Sequence, residues 1–96
     1  MSDGQQMPEV TFSTFILSLA SSALVQLGEV PDPATGQTTT HLTLARHSID
    51  MLEMLRCKTK GNLDAQESQM LDSMLYELRM KFVMKSGKKG NSNASC

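Results

Sequence analysis

Cys57 carries a thiol, the side-chain group in its helix with the clearest nucleophilic chemistry. It stands between Arg56 and Lys58, and nearby cations favour the thiolate, the form that attacks electrophiles and binds metals. Glu53, about one helical turn away, opposes that shift, so the residue reads as an inert exposed thiol. His47 and Asp50 lie three residues apart with His41 nearby, and that spacing puts an imidazole and a carboxylate on one helical face. Two or three mixed ligands on a polar face are ordinary solvated side chains, and no CxxC, HExxH or EF-hand spacing is present. Glu29 and Asp32 in "EVPDPATG" could form a carboxylate pair, but turn chemistry explains that stretch. Ser18, Ser21 and Ser22 have no histidine and acid at a spacing that would activate a nucleophile. "KTKGN" places cations before a helix start, where anions bind, but Asp64 already supplies a carboxylate there. "GKKGNS" lacks the glycine spacing of a phosphate loop. The sequence therefore assigns no catalytic, cofactor-binding or metal-binding residue, and a non-catalytic protein without cofactors is expected.

The elements that hold these residues are helical. Phe12, Phe15, Ile16, Leu19, Ala23 and Leu27 recur at helical spacing, which predicts a helix over about 12–27. Thr11 or Ser13 can cap its start, and Gly28 can end it in the left-handed conformation. Pro31 and Pro33 forbid continuation, and "DPATG" predicts a type I turn. Thr38, Thr39 and Thr40 favour extended backbone, which allows a short hairpin between helices one and two. A second helix is expected over about 44–59, with Leu44, Ala45, Ser48, Ile49, Met51, Leu52 and Leu55 facing inward and Arg46, Asp50, Glu53 and Cys57 facing outward. A third is expected over about 65–84, capped by Asp64 with Glu67 three residues on. Only "KGNLD" separates the last two helices, so they form an antiparallel hairpin. The expected fold class is all-α: one three-helix domain over 11–85, between a flexible N-terminus (1–10) and a disordered tail (86–96).

Composition narrows the function classes. Ninety-six residues with a net charge of −1 give no overall attraction to nucleic acid or anionic lipid. All nine basic residues lie after residue 42, as Arg56, Lys58 and Lys60 at one end of the hairpin and Arg79, Lys81, Lys85, Lys88 and Lys89 at the other. Arg46 apart, these cations complement two helix C-termini. A nucleic-acid-associated accessory or regulatory protein using this basic third is the alternative function, although a divided patch argues against nucleic acid as a partner. Two cysteines make no disulfide framework, and "MSDGQQMPEV" has no secretory pattern, so a cytoplasmic location is expected. The eight methionines read as adaptable core filler.

Nineteen residues, Val10 to Gly28, carry no Lys, Arg, Asp or Glu. Eleven are apolar, seven are Thr, Ser or Gln, and one is Gly, whereas a membrane span needs about twenty predominantly apolar residues. The flanks are acidic, and Trp, Tyr and basic anchors are missing. No membrane is implied. On the helical wheel Phe12, Phe15, Ile16, Leu17, Leu19, Ala20, Ala23, Leu24 and Leu27 form an apolar arc expected to meet helices two and three. The opposite face, with Thr14, Ser18, Ser21, Ser22 and Val25, is small, uncharged and suited to close approach by another chain. Tyr76, Met80 and Val83 make a second outward stripe on helix three. These eight residues are the candidate interface, and a homo-oligomer or another protein is the expected partner.

"FSTFILSLASSALVQLGEVPDPATG", "LARHSIDMLEMLRCKTKGNLD" and "MLYELRMKFV", in that order, resemble a family of short bacterial proteins catalogued only as a domain of unknown function. The likeness spans roughly Phe12 to Val83. It implies a cytosolic, all-helical domain and brings no activity, substrate, cofactor or catalytic residue with it.

Overall fold

Thr11 begins the first helix, α1 (Phe12–Gln26), by accepting the Thr14 amide on its hydroxyl at 3.1 Å while Thr14 returns the bond to the Thr11 amide. This is a reciprocal cap with threonine in the role usually taken by Glu or Gln. The helix ends where Gly28 turns left-handed at φ 78°. There Gly28 N–H donates to Val25 and Glu29 N–H to Leu24, both at 3.0 Å, which satisfies carbonyls that α1 would otherwise leave open. The structure, a computed structural model, describes residues 9–87. The expectations for 1–8 and for the tail beyond Gly87 lie outside them.

The segment after α1 is a turn and an unpaired extended run. Asp32 organises the turn: its side chain accepts the Ala34 amide at 2.8 Å and its carbonyl accepts Gly36 N–H at 2.7 Å. No strand occurs among the described residues, so the threonine hairpin does not form. The run is held instead by its two ends, Asp32 N–H to the Gln37 carbonyl and His41 N–H to the Gln26 carbonyl. An isolated two-stranded hairpin is marginal at best in water, and no further strand lies beside this threonine run to support one.

From His41 the chain enters α2 (Leu42–Lys58), two residues earlier than the apolar pattern suggests, and no side chain caps the start. Thr59 closes this helix by donating its hydroxyl to the Leu55 carbonyl at 2.6 Å. The third helix, α3 (Ala65–Ser86), carries the expected cap: Asp64 accepts Glu67 N–H at 2.8 Å and Glu67 accepts Asp64 N–H at 3.0 Å. Its last residue, Ser86, lies two residues beyond the sequence reading, and Gly87 caps it.

All three helices meet one another, α1 against α2 most extensively. The all-α three-helix fold is as expected. Its core is Ile16, Ala20, Ala23 and Leu27 from α1, Ala45, Ile49 and Leu52 from α2, and Leu71, Leu75 and Leu78 from α3. Each fully buried Leu or Ile contributes roughly 1.5–3 kcal/mol relative to exposure. None of the described methionines is in that set. Met70 and Met74 pack at its rim, and Met54, Met80 and Met84 are exposed. The methionines therefore fill edges, and the branched side chains specify the centre.

Among the described residues Ser48 is the one buried polar side chain, and its hydroxyl donates to Gln26 Oε1 at 2.6 Å. A buried hydroxyl without a partner costs about 1–3 kcal/mol, so this bond fixes how α1 and α2 lie against each other. Leu44, expected inside, is half-exposed. Burial on α2 follows the tight sequence Ala45, Ser48, Ile49, Leu52, which leaves Leu44 roughly a quarter-turn from the centre of that arc.

Candidate functional site

Because Ile16, Ala20, Ala23 and Leu27 point inward, helical geometry of about 100° per residue sets Ser18 on the opposite side of α1. Ser18, Ser21 and Ser22 are exposed, and Thr14 and Val25 are half-buried. The hydroxyl of Thr14 is committed to the cap, donating toward the Glu9 carbonyl at 2.8 Å. Phe15 and Leu17 correct the expected apolar arc, since they are 50% and 46% exposed. An arc of more than half the circumference is wider than two neighbouring helices cover, so its edges remain in solvent.

The loop between α1 and α2 runs alongside this outer face. Ser18, Ser21, Ser22 and Val25 form one wall of a cleft of about 860 Å³, and Asp32, Thr35, Gln37 and His41 belong to its other side. Four of the five α1 candidates are thus brought together in a recessed surface. Its lining carries one carboxylate, Asp32, which already accepts the Ala34 amide.

On α3 the inward residues are Leu71, Leu75 and Leu78, and Tyr76 and Met80 stand opposite them, 68% and 46% exposed. Val83 is half-buried on the same side, and Met84, which the sequence reading did not select, is 77% exposed. Tyr76, Met80 and Val83 line a groove of about 310 Å³ with Arg56 and Arg79. The eight candidates therefore divide into two surfaces.

Glu53 corrects the helical wheel most sharply. Expected on the wet face of α2, its side chain is only 12% exposed and accepts both Arg79 from α3 and Arg56 from its own helix. Arg56 also donates Nε to Asp72 of α3 at 2.8 Å. Burial pulls the pKa of Arg79 below its ordinary value, and the charge of Asp50 opposes this. The guanidinium stays protonated at any physiological pH. The sequence reading set Arg56 and Arg79 at opposite ends of the hairpin; long side chains bring both onto Glu53. The available signal was that a carboxylate next to the apolar position Leu52 can turn toward a neighbouring helix.

Other candidates are accounted for by structure. Glu29 pairs with Lys81 and Lys85, each at 3.6 Å, and so ties the end of α1 to the last turns of α3. His47 and Asp50 are exposed, and no group of three His, Cys, Asp or Glu able to hold a metal occurs among the described residues. Cys57 is half-buried and is not a free thiol, which overturns its reading as an inert exposed one. No helix among the described residues is long and apolar enough to cross a membrane.

No curated protein and no solved structure matches the chain. The model of the family described as "Domain of unknown function (DUF1844)" matches residues 9–84. That match covers all three helices and both candidate surfaces, and the chain belongs to this family.

Proposed function

We propose that this protein works by protein–protein association, with itself or with a protein partner, and performs no catalysis. The observation that carries the reading is the pair of uncharged outward faces. A helix that ends in solvent keeps charged residues on its wet side, yet α1 contains no charged residue at all. Phe15 and Leu17, on the two flanks of its inward arc, are half-exposed as well. The stripe on α3 adds Tyr76, Met80 and Met84. Exposed apolar residues clustered in this way mark contact surfaces more often than residues scattered singly.

The alternative on nucleic acid is weaker because four of the cations it would use are engaged. Arg56, Arg79, Lys81 and Lys85 each share a carboxylate: Glu53, Asp72, Glu29 or Glu77. Phosphate would have to displace these partners. Sedimentation of the full chain tests the proposal. The wild type should run above the 10.5 kDa monomer mass at micromolar concentration or with its co-purified partner. A variant with Ser18→Glu, Ser22→Glu and Met80→Glu should run as a folded monomer. A wild type that stays monomeric and retains no partner from its host overturns the reading.

A further inference from the structure

Cys57 is disulfide-bonded, and the chain has two cysteines, Cys57 and Cys96. Within one copy the bond can therefore run only from α2 to the last residue of the chain. Arg56 reaches Asp72 and Glu53 reaches Arg79, so Cys57 stands near the level of Asp72 on the antiparallel α3. Four residues on from Glu53, it lies about 40° further around α2, on the flank that faces α3. Gly87, the cap of α3, is fifteen residues beyond Asp72, about 22 Å along the helix at ~1.5 Å per residue. Helices pack about 8–10 Å apart, so the direct path from Gly87 to Cys57 is about 25 Å. The nine residues 88–96 span at most about 30 Å. That is enough for the direct path and too little for one around α1.

The direct path follows the groove that Val83, Met80, Arg79 and Tyr76 line along α3 and that Arg56, beside Cys57, lines on α2. We infer that Cys96 is the residue bonded to Cys57 and that the bond is a redox clasp. Closed, it holds residues 88–96 along this groove; opened by reduction, it uncovers Tyr76, Met80 and Val83. The inference goes beyond the reading of the protein as an association module and does not need it. Apart from the cysteine, "KKGNSNASC" contains one apolar side chain, Ala94, so the covalent bond and not burial must keep the segment in place. Closure joins Cys57 Sγ to Cys96 Sγ. The two thiols give up two protons and two electrons to a low-molecular-weight disulfide, which leaves as two thiols. A soluble dithiol reverses the exchange. Labile, regulatory disulfides are those that such reagents reach, and Cys57 lies outside the core cluster.

The test treats the full chain with oxidised glutathione and then with dithiothreitol. Digestion of the oxidised chain without reductant should release one peptide pair joined through Cys57 and Cys96, and dithiothreitol should abolish it. Hydroxyl-radical footprinting then reads the groove, at nanomolar concentration so that copies do not cover one another. Tyr76, Met80 and Val83 should label several-fold less in the oxidised chain than in the reduced one. Exposed Leu44, in the cleft beside α1, should label equally in both. Cys57→Ser should label at the reduced level under both conditions. A Cys57–Cys57 bond between copies, or two thiols that take up only glutathione, overturns the inference. A Cys57–Cys96 bond that leaves labelling of the groove unchanged overturns it as well. Neither readout depends on whether the protein associates, which sedimentation decides separately.

Discussion

Replacing Glu53 by Ala removes the acceptor on which Arg79 and Arg56 converge. Breaking one side of a fully buried ion pair costs about 3–5 kcal/mol, and an exposed pair is worth about 0–1 kcal/mol. Glu53 is 12% exposed, Arg79 27% and Arg56 38%, so the site lies between these limits. Arg56 keeps Asp72, which leaves Arg79 as the cation that loses its partner. A cost of about 2 kcal/mol follows, and for a domain of this size that lowers Tm by roughly 8–16 °C. Urea denaturation followed by far-UV circular dichroism measures it directly. Asp72→Ala, at a side chain 55% exposed, should cost no more than about 1 kcal/mol. The Glu53 effect should survive high salt, since partly buried pairs are weakly screened. A Glu53→Ala protein as stable as the wild type, or less perturbed than Asp72→Ala, would refute the view that this cluster locks α2 to α3.

Asp64→Ala removes the cap of α3 and should cost about 1 kcal/mol in the same denaturation assay. Leu52→Ala, at a fully buried position of α2, should cost roughly 2–5 kcal/mol, with the larger values if the site cannot collapse. Gly28→Ala and Gly36→Ala both force alanine into left-handed backbone, at φ 78° and 73°, which costs roughly 1–2 kcal/mol. At Gly28 the new Cβ would also meet Thr40 Oγ1 at 2.6 Å, whereas at Gly36 it meets nothing. Gly28→Ala should therefore be the more damaging of the two in thermal melts.

Local signals carried most of the fold. Asp64 with Glu67, Gly28 after an apolar run and the prolines around Asp32 each act within a few residues, so they are readable without knowing the tertiary arrangement. The inward side of α1 and the outward stripe of α3 followed from periodicity for the same reason. What escaped the sequence depends on partners far along the chain. Glu53 looks like a solvated carboxylate until α3 brings Arg79 to it. Ser48 sits among apolar positions, but nothing in sequence pairs it with Gln26, 22 residues earlier. Phe15 and Leu17 looked buried because periodicity gives the direction of an apolar arc and not the width that neighbouring helices cover. Of the candidate surfaces, the outward direction of both was legible. The cleft beside α1 was not, because it depends on where the loop to α2 lies.

Sedimentation equilibrium of the wild-type chain, across micromolar concentrations and without added partner, tests most directly whether the uncharged faces meet another copy. Self-association predicts a concentration-dependent mass that rises from 10.5 kDa toward twice that value, and its loss in the variant with Ser18→Glu, Ser22→Glu and Met80→Glu. A mass that stays at the monomer value throughout the range would contradict it.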